Sequence, residues 1–335
     1  MKYFFKRFWI LLLLAILINI PLLVLGTVRT NKTVTLKGDT TIVKDFVEIA
    51  NPYEAKGTLS TIYVISLDHS TILQNWMVGL SSTSELEDLP EHYLHFTDSE
   101  LVQMGRIQHE SSIMYALMLA YQAASATDPS IHLEHSFDAY VVAYYDSVSE
   151  FRIGDRIIGV DQVYADADFD QFAELFNKAV SAEEPHTFQV MRQKKELEIT
   201  NTKENLRIAG YSYYNLNQKT ASPQYKIKQT NVGGPSGGLL QTLALYNSLV
   251  PTDITQGRHI AGTGTIEPDG TVGPIGGIQQ KIYTAFEDDM DIFLCPKENY
   301  EEALLAYNTL KNKERMKLYS IESFTEALEV LTHEF

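Results

Sequence analysis

Residues 260–281 read IAGTGTIEPDGTVGPIGGIQQK, and the punctuation of this stretch decides the fold of the C-terminal part. Residues 260–266 read as a strand. Glu267-Pro268-Asp269-Gly270 is a turn by its chemistry, residues 271–275 lead back, and Gly276-Gly277 opens a helix over 278–286. On that helix Ile278, Ile282 and Ala285 form the apolar stripe, with Lys281 on the same side. Spacing alone leaves two readings of Lys281. It is either a snorkelling lysine with only its stem buried, or a desolvated amine able to act as a base near neutral pH.

Working upstream, Val232-Gly233-Gly234-Pro235-Ser236-Gly237-Gly238 follows a strand-like segment (225–230). It precedes a helical run with Leu239, Leu240, Leu243, Ala244 and Asn247 on one face. A serine between two glycine pairs lets a carbonyl approach backbone N–H groups, and a helix N-terminus adds partial positive charge where an oxyanion forms. The same loop also describes a phosphate cradle.

Together the G-P-S-x-G loop, the G-T-G-x-I…D-G-x-V-x-P-I-G-G-I-x-x-K segment and the later F-L-x-P-x-x-N strand end look like the proteolytic domain of Lon proteases. That resemblance implies Ser236 as nucleophile and Lys281 as general base. It also implies Gly234, Pro235 and Gly237 as the supporting or oxyanion loop, and Thr263 as the threonine that hydrogen-bonds around the lysine. Asn299 matches the asparagine of the family pattern and receives no catalytic role. Two positions depart from that pattern: Gly237 stands where alanine is usual, and Gly233 where many members carry an acid. The implied fold is an α/β domain over 203–335, related to the second domain of a small-subunit ribosomal protein. A homo-oligomeric ring is the implied assembly.

Residues 133–202 have a different pattern. Strand 140–145, a turn at Gly154-Asp155 feeding a strand, an amphipathic helix over 168–179, and strands at 187–192 and 196–200 resemble a PDZ domain. Such domains bind extended peptide ends at a sheet edge, which here implies Phe137, Ala139 and Tyr140 as peptide-binding residues. The preceding loop, His135 to Ala139, departs from the usual form, and Asp138 would oppose a bound carboxylate.

Residues 8–28 are almost wholly apolar and uncharged, a span of about 31 Å as a helix. Lys2, Lys6 and Arg7 precede it, so the expected topology has residues 1–7 in the cytoplasm and the catalytic part outside the cell membrane. A cleaved signal peptide is the competing reading, with Val24-Leu25-Gly26 as its small-residue site. Residues 29–55 read as a stalk, and 56–132 as a strand (58–67), an acidic loop (85–98) and a helix (98–124) packing with the protease part. An anchor, a PDZ-like block and a Lon-like domain in this order resemble the membrane-anchored PDZ-containing Lon-like proteases of Gram-positive bacteria.

The net charge of −16 argues against nucleic-acid binding. No G-x-x-x-x-G-K-[ST] occurs in the 335 residues, so no nucleotide and no other cofactor is expected. The lone Cys295 reads as a packing residue. The pairs His92/His95 and His132/His135 lack a third ligand, so no metal is expected, and Lys281 makes His259 unnecessary as a base. The expectation is an α+β chain: an ATP-independent serine endopeptidase acting on secreted or membrane-proximal unstructured polypeptides. A catalytically silent peptide-binding adaptor and a small-molecule kinase of related fold are the rivals.

Overall fold

In a computed structural model, residues 2–81, 83–146, 149–180, 184–200, 208–230 and 232–333 are described. The expected 202/203 domain boundary lies outside them. The chain is mixed α+β. It opens with α1 (Lys2–Thr27), β1 (Lys32–Ile42), β2 (Val47–Ile49), β3 (Thr58–Leu67), α2 (Ile72–Val78), β4 (Glu85–Asp88) and α3 (Asp98–Ser125). A β-rich block follows: β5 (His135–Tyr145), β6 (Arg156–Val160), β7 (Val163–Tyr164), α4 (Phe169–Ala179), β8 (Thr187–Arg192), β9 (Lys195–Thr200) and β10 (Ile208–Leu216). The last third holds β11 (Tyr225–Ile227), α5 (Gly238–Leu249), β12 (His259–Gly262), β13 (Thr265–Ile266), β14 (Val272–Gly273), α6 (Ile278–Glu287), β15 (Ile292–Pro296), α7 (Tyr300–Thr309), β16 (Lys317–Ile321) and α8 (Phe324–His333).

The chain divides into two units, Met1–Lys37 with Val64–Asp98, and Gly38–Tyr63 with Ser99–Phe335. In the first, residues 7–27 form an apolar helix long enough to cross a membrane, none of it buried. A capping box starts α2: the Thr71 side chain accepts from the Gln74 N–H, and the Gln74 side chain accepts from the Thr71 N–H. Lys32 to Thr35 of β1 pair antiparallel with Glu85 to Asp88 of β4.

Two expectations are corrected here. Residues 85–88, read as loop, form a strand because their alternating backbone groups find β1 as partner. Residues 29–55, read as a stalk, carry β1 and β2, and Val43, Phe46, Val47 and Ile49 are buried.

In the second unit β12 lies parallel between β3 and β15, and β15 is parallel to β16. Alternate residues of these strands serve two cores. Ile260, Ile292 and Leu294 join Leu239, Leu240 and Leu243 of α5, and Phe324 and Leu331 of α8. Ala261, Phe293 and Cys295 join Ile278, Ile282 and Ala285 of α6, and Ala303 and Ala306 of α7. A strand covered on both faces reads as a continuous apolar run, and β15 (IFLCP) does. Each fully buried leucine here contributes about 1.5–3 kcal/mol. Since β3 is a member of this sheet and α3 packs on α5's side of it through Met114, Tyr115 and Met118, the core around β12 and β15 draws on residues well upstream of 203.

Between α3 and β11 runs the second sheet, in order β10-β5-β6-β8-β9, with α4 against it. Phe172 and Phe176 of α4 stack on Tyr140, and Phe169 meets Phe137. The Gly154-Asp155 turn is fixed electrostatically. Asp155, 1% exposed, accepts from Arg192 Nε (2.7 Å) and Nη2 (2.5 Å) and from the Arg152 N–H (2.8 Å). Asp155→Ala leaves that guanidinium unpaired. It is expected to lower unfolding free energy by about 2–3 kcal/mol in urea titration, less than a fully buried pair because Arg192 stays partly solvated.

His135 to Ala139, read as a loop, is the first half of β5. Phe137, Ala139 and Tyr140, the residues expected to bind peptide, all lie on this strand. β10 pairs with β5 from Leu216↔His135 to Ile208↔Tyr145, and β6 pairs with its other edge at Tyr140 and Val141. Ala139 is fully buried, and Phe137 and Tyr140 pack on α4. An added peptide strand therefore finds no free length of β5 along β10's side.

Candidate active site

The loop before α5 is held by two hydrogen bonds to α3. The Gly234 N–H donates to the Gly105 carbonyl (2.7 Å), and the Ser112 hydroxyl donates to the Pro235 carbonyl (3.2 Å). Between them lies His109, buried and in edge contact with Phe46; burial pushes its pKa below the ordinary value. Gly105, His109 and Ser112 stand at i, i+4 and i+7, one face of α3. None of the three was singled out from the sequence. Their only trace there is small and polar residues at helical spacing amid apolar ones.

The second anchor is the break between β12 and β13. Residues 260–266, read as one strand, divide at Thr263–Gly264, where Gly264 takes φ +146°. The Gly264 N–H donates to the Ser236 carbonyl (2.8 Å), and its own carbonyl accepts from the Leu239 N–H (3.1 Å). A Cβ on Gly264 would lie 2.8 Å from Val272, and one on Gly238 2.6 Å from Ile266, so both glycines permit close approach.

These contacts bring the distant residues together. Lys281 Nζ donates to Ser236 Oγ (2.9 Å) and to Thr263 Oγ1 (2.9 Å), and Thr263 Oγ1 donates to the Ser236 carbonyl (2.9 Å). Lys281 is 1% exposed, and desolvation lowers its pKa to about 7. The snorkelling alternative is thereby excluded.

α6 is itself held by Asn299, whose side chain accepts from the Ile275 N–H (2.8 Å) and donates to the Ile275 carbonyl (3.0 Å). Asn299 thus positions the loop that opens the lysine's helix, without touching the pair.

Among the described residues, no acceptor takes the Ser236 or Gly237 backbone N–H, whereas the Gly234 N–H is committed to Gly105. Of the expected oxyanion loop, then, the amides at 236 and 237 are the ones free for a substrate oxygen. A crevice of about 30 Å³ adjoins Pro235, walled by Ser112, Tyr115, Tyr211, Ile266 and Glu267. The larger cavity, about 460 Å³ between α3 and the second sheet, includes neither Ser236 nor Lys281.

The remaining sequence candidates lie elsewhere. His259 Nδ1 meets Thr58 (3.0 Å), and Cys295 is buried, its thiol pushed up to about 12 by desolvation.

A neutral amine in hydrogen-bond contact with a hydroxyl, at a loop with two unused amides, can accept the hydroxyl proton as it attacks a carbonyl; this is the equipment of a serine hydrolase. Residues 190–334 match the family model of the Lon protease (S16) C-terminal proteolytic domain. This part of the chain is a Lon-type serine protease domain, a peptide hydrolase by class.

Similar curated proteins include the Lon protease of Campylobacter jejuni, 30% identical over 96 residues, covering 29% of this chain and 12% of the relative. That of Fervidobacterium nodosum is 34% identical over 101 residues, 30% of this chain and 12% of the relative. That of Helicobacter pylori is 27% identical over 146 residues, 43% of this chain and 16% of the relative. The chain thus spans less than a fifth of the length of these relatives.

Proposed function

We propose that the chain is an ATP-independent serine endopeptidase, anchored by α1 and acting on secreted or membrane-proximal unstructured polypeptides. The observation that carries this reading is the 2.9 Å contact between Lys281 Nζ and Ser236 Oγ, made by an amine with a pKa of about 7.

In the first step Ser236 Oγ attacks the scissile carbonyl carbon while its proton passes to Lys281 Nζ. The Ser236 and Gly237 amides face the oxygen that gains charge. Lys281 then returns the proton to the leaving amine, and the acyl group stays on Ser236. Water, deprotonated by the same amine, attacks the ester carbonyl; the acid leaves and Ser236 regains its proton. Thr263 keeps the amine aimed through both halves.

No Walker-type phosphate loop occurs in the 335 residues, which supports substrates that need no unfolding. The anchor reading is supported by the exposed apolar helix at 7–27.

The test uses the full chain in detergent, incubated with a reduced, unfolded protein without ATP. Cleavage should occur, and a serine-directed electrophile should add mass to the peptide carrying Ser236. Cleavage that persists unchanged in Ser236→Ala sinks the proposal. Peptide binding without cleavage would favour the adaptor.

A further inference from the structure

Ser70 to Ser84 contains no charged residue, in a chain that is 21% charged. At its centre lies α2, which buries none of its residues. Ile72, Trp76 and Leu80 follow one another at i, i+4 and i+8, and Met77 sits beside them. They are 38%, 66%, 73% and 54% exposed, respectively. An uncharged segment that displays an indole, a thioether and two aliphatic side chains to solvent is unusual outside an interface.

Position identifies the occupant. Residues 28–30, directly after α1, are bonded to the start of α2. The Thr30 N–H donates to the Ser70 carbonyl (2.9 Å), and the Ile72 N–H to the Val28 carbonyl (3.2 Å). Asn75 Nδ2 donates to Thr30 Oγ1 (2.9 Å) and Arg29 to the His69 carbonyl (3.1 Å). Leu73 turns towards Gly26 at the end of α1. At 1.5 Å per residue α2 is roughly 10 Å long, so its exposed side chains stay within roughly 15 Å of the end of α1.

The apolar surface of α1 is therefore continued by that of α2, whose exposed side chains include Trp76, an indole of the kind that favours a headgroup boundary. We propose that α2 lies in the interface of the same bilayer that α1 spans, as a second, surface-lying contact with lipid. The inference rests on α1 being a retained membrane helix. The absence of charge in the segment makes the contact one of apolar burial, so neutral phosphatidylcholine suffices.

The chain has two tryptophans, Trp9 in α1 and Trp76 in α2, which allows a clean test. The full chain is placed in phosphatidylcholine bilayers with lipids brominated near the glycerol or near the chain end. In Trp9→Phe, the remaining Trp76 should emit at shorter wavelength than indole in water and lose more fluorescence to the shallow bromine than to the deep one. The result should not change with salt. In Trp76→Phe, quenching of Trp9 reports insertion of α1. Trp9 quenched with Trp76 untouched by either lipid overturns the proposal while the anchor stands. In that case blue-shifted Trp76 emission would mark a protein partner or a second copy on α2 instead. Neither tryptophan quenched overturns both.

Discussion

Lys281→Met should lower kcat on an unstructured peptide by about 10²–10⁴, the range associated with a positioned general base. The protein should nevertheless become harder to unfold. Methionine fills nearly the same volume as lysine, and the neighbours Ile278, Ile282 and Ala285 are apolar, so packing is kept. What is removed is an amine at 1% exposure that, among the described residues, bonds to Ser236 and Thr263. A variant that lost activity through misfolding would lose stability as well, and the opposite direction of the two readouts separates the explanations. Kinetics with thermal or urea unfolding on the same preparation measure both.

The pH dependence carries a sign that can be checked independently. Burial lowers the Lys281 pKa from 10.5 to about 7, so between those values the unfolded chain holds a proton that the folded one has released. Stability rises with pH wherever the unfolded state binds more protons. The burial penalty is full below pH 7, shrinks across pH 7–10.5, and vanishes above. Its full size is roughly 5 kcal/mol as an upper bound, at 1.36 kcal/mol per pH unit. The stability advantage of Lys281→Met over the parent should therefore be largest at or below pH 7 and close steadily towards pH 10.5. Comparing the two proteins cancels the alkaline titration of buried tyrosines. Activity of the parent should fall on the acid side, as kcat/KM drops through pH 7 with protonation of the amine. A flat profile from pH 5 to 9 would argue against Lys281 as the base.

How much of this was legible in the sequence varies by element, for physical reasons. α3 could be read because Met104, Ile107, Ile113, Met114 and Leu117 keep a 3.6-residue rhythm, and local periodicity is enough to form a helix. β15 could be read because both its faces are covered. β1 could not. Of its 11 residues only Val34 is fully buried, and its Thr- and Lys-rich stretch becomes a strand only when partners on other segments complete the ladder. The strand across 260–266 looked continuous because nothing local announces that Gly264 turns to φ +146°. The pairing of Ser236 with Lys281 rested on the likeness of whole motifs to a family, since spacing left the lysine undecided. The grip of Gly105 and Ser112 on the serine loop is a contact across more than 100 positions, which no local pattern encodes.

Gly264→Ala should damage folding and catalysis together. The added Cβ would meet Val272 Cγ1 at 2.8 Å, Leu239 Cβ at 3.4 Å and Pro296 Cγ at 3.4 Å, in a region where all three are part of the packed core. The backbone angle of +146° is also one that alanine rarely adopts. Strain of this kind costs about 1–3 kcal/mol and overpacking about 1–3 more, so a loss of about 2–6 kcal/mol in unfolding free energy is expected. The effect on catalysis should exceed the effect on folding. Gly264 is bonded through its N–H to the carbonyl of Ser236 itself, and through its carbonyl to the second residue of α5. Relief of the clash by moving either bond displaces Ser236 Oγ from Lys281 Nζ, and a misplacement of about 1 Å is enough to cost about a hundredfold in rate. In the fraction that remains folded, kcat should therefore fall at least a hundredfold while binding of a peptide to the inactive protein persists. The reference is Gly276→Ala, at a glycine with nothing within 4 Å of the new methyl and no positive φ, which should change neither stability nor kcat appreciably. Equal behaviour of the two variants would mean that the break after β12 does not set the geometry of the serine.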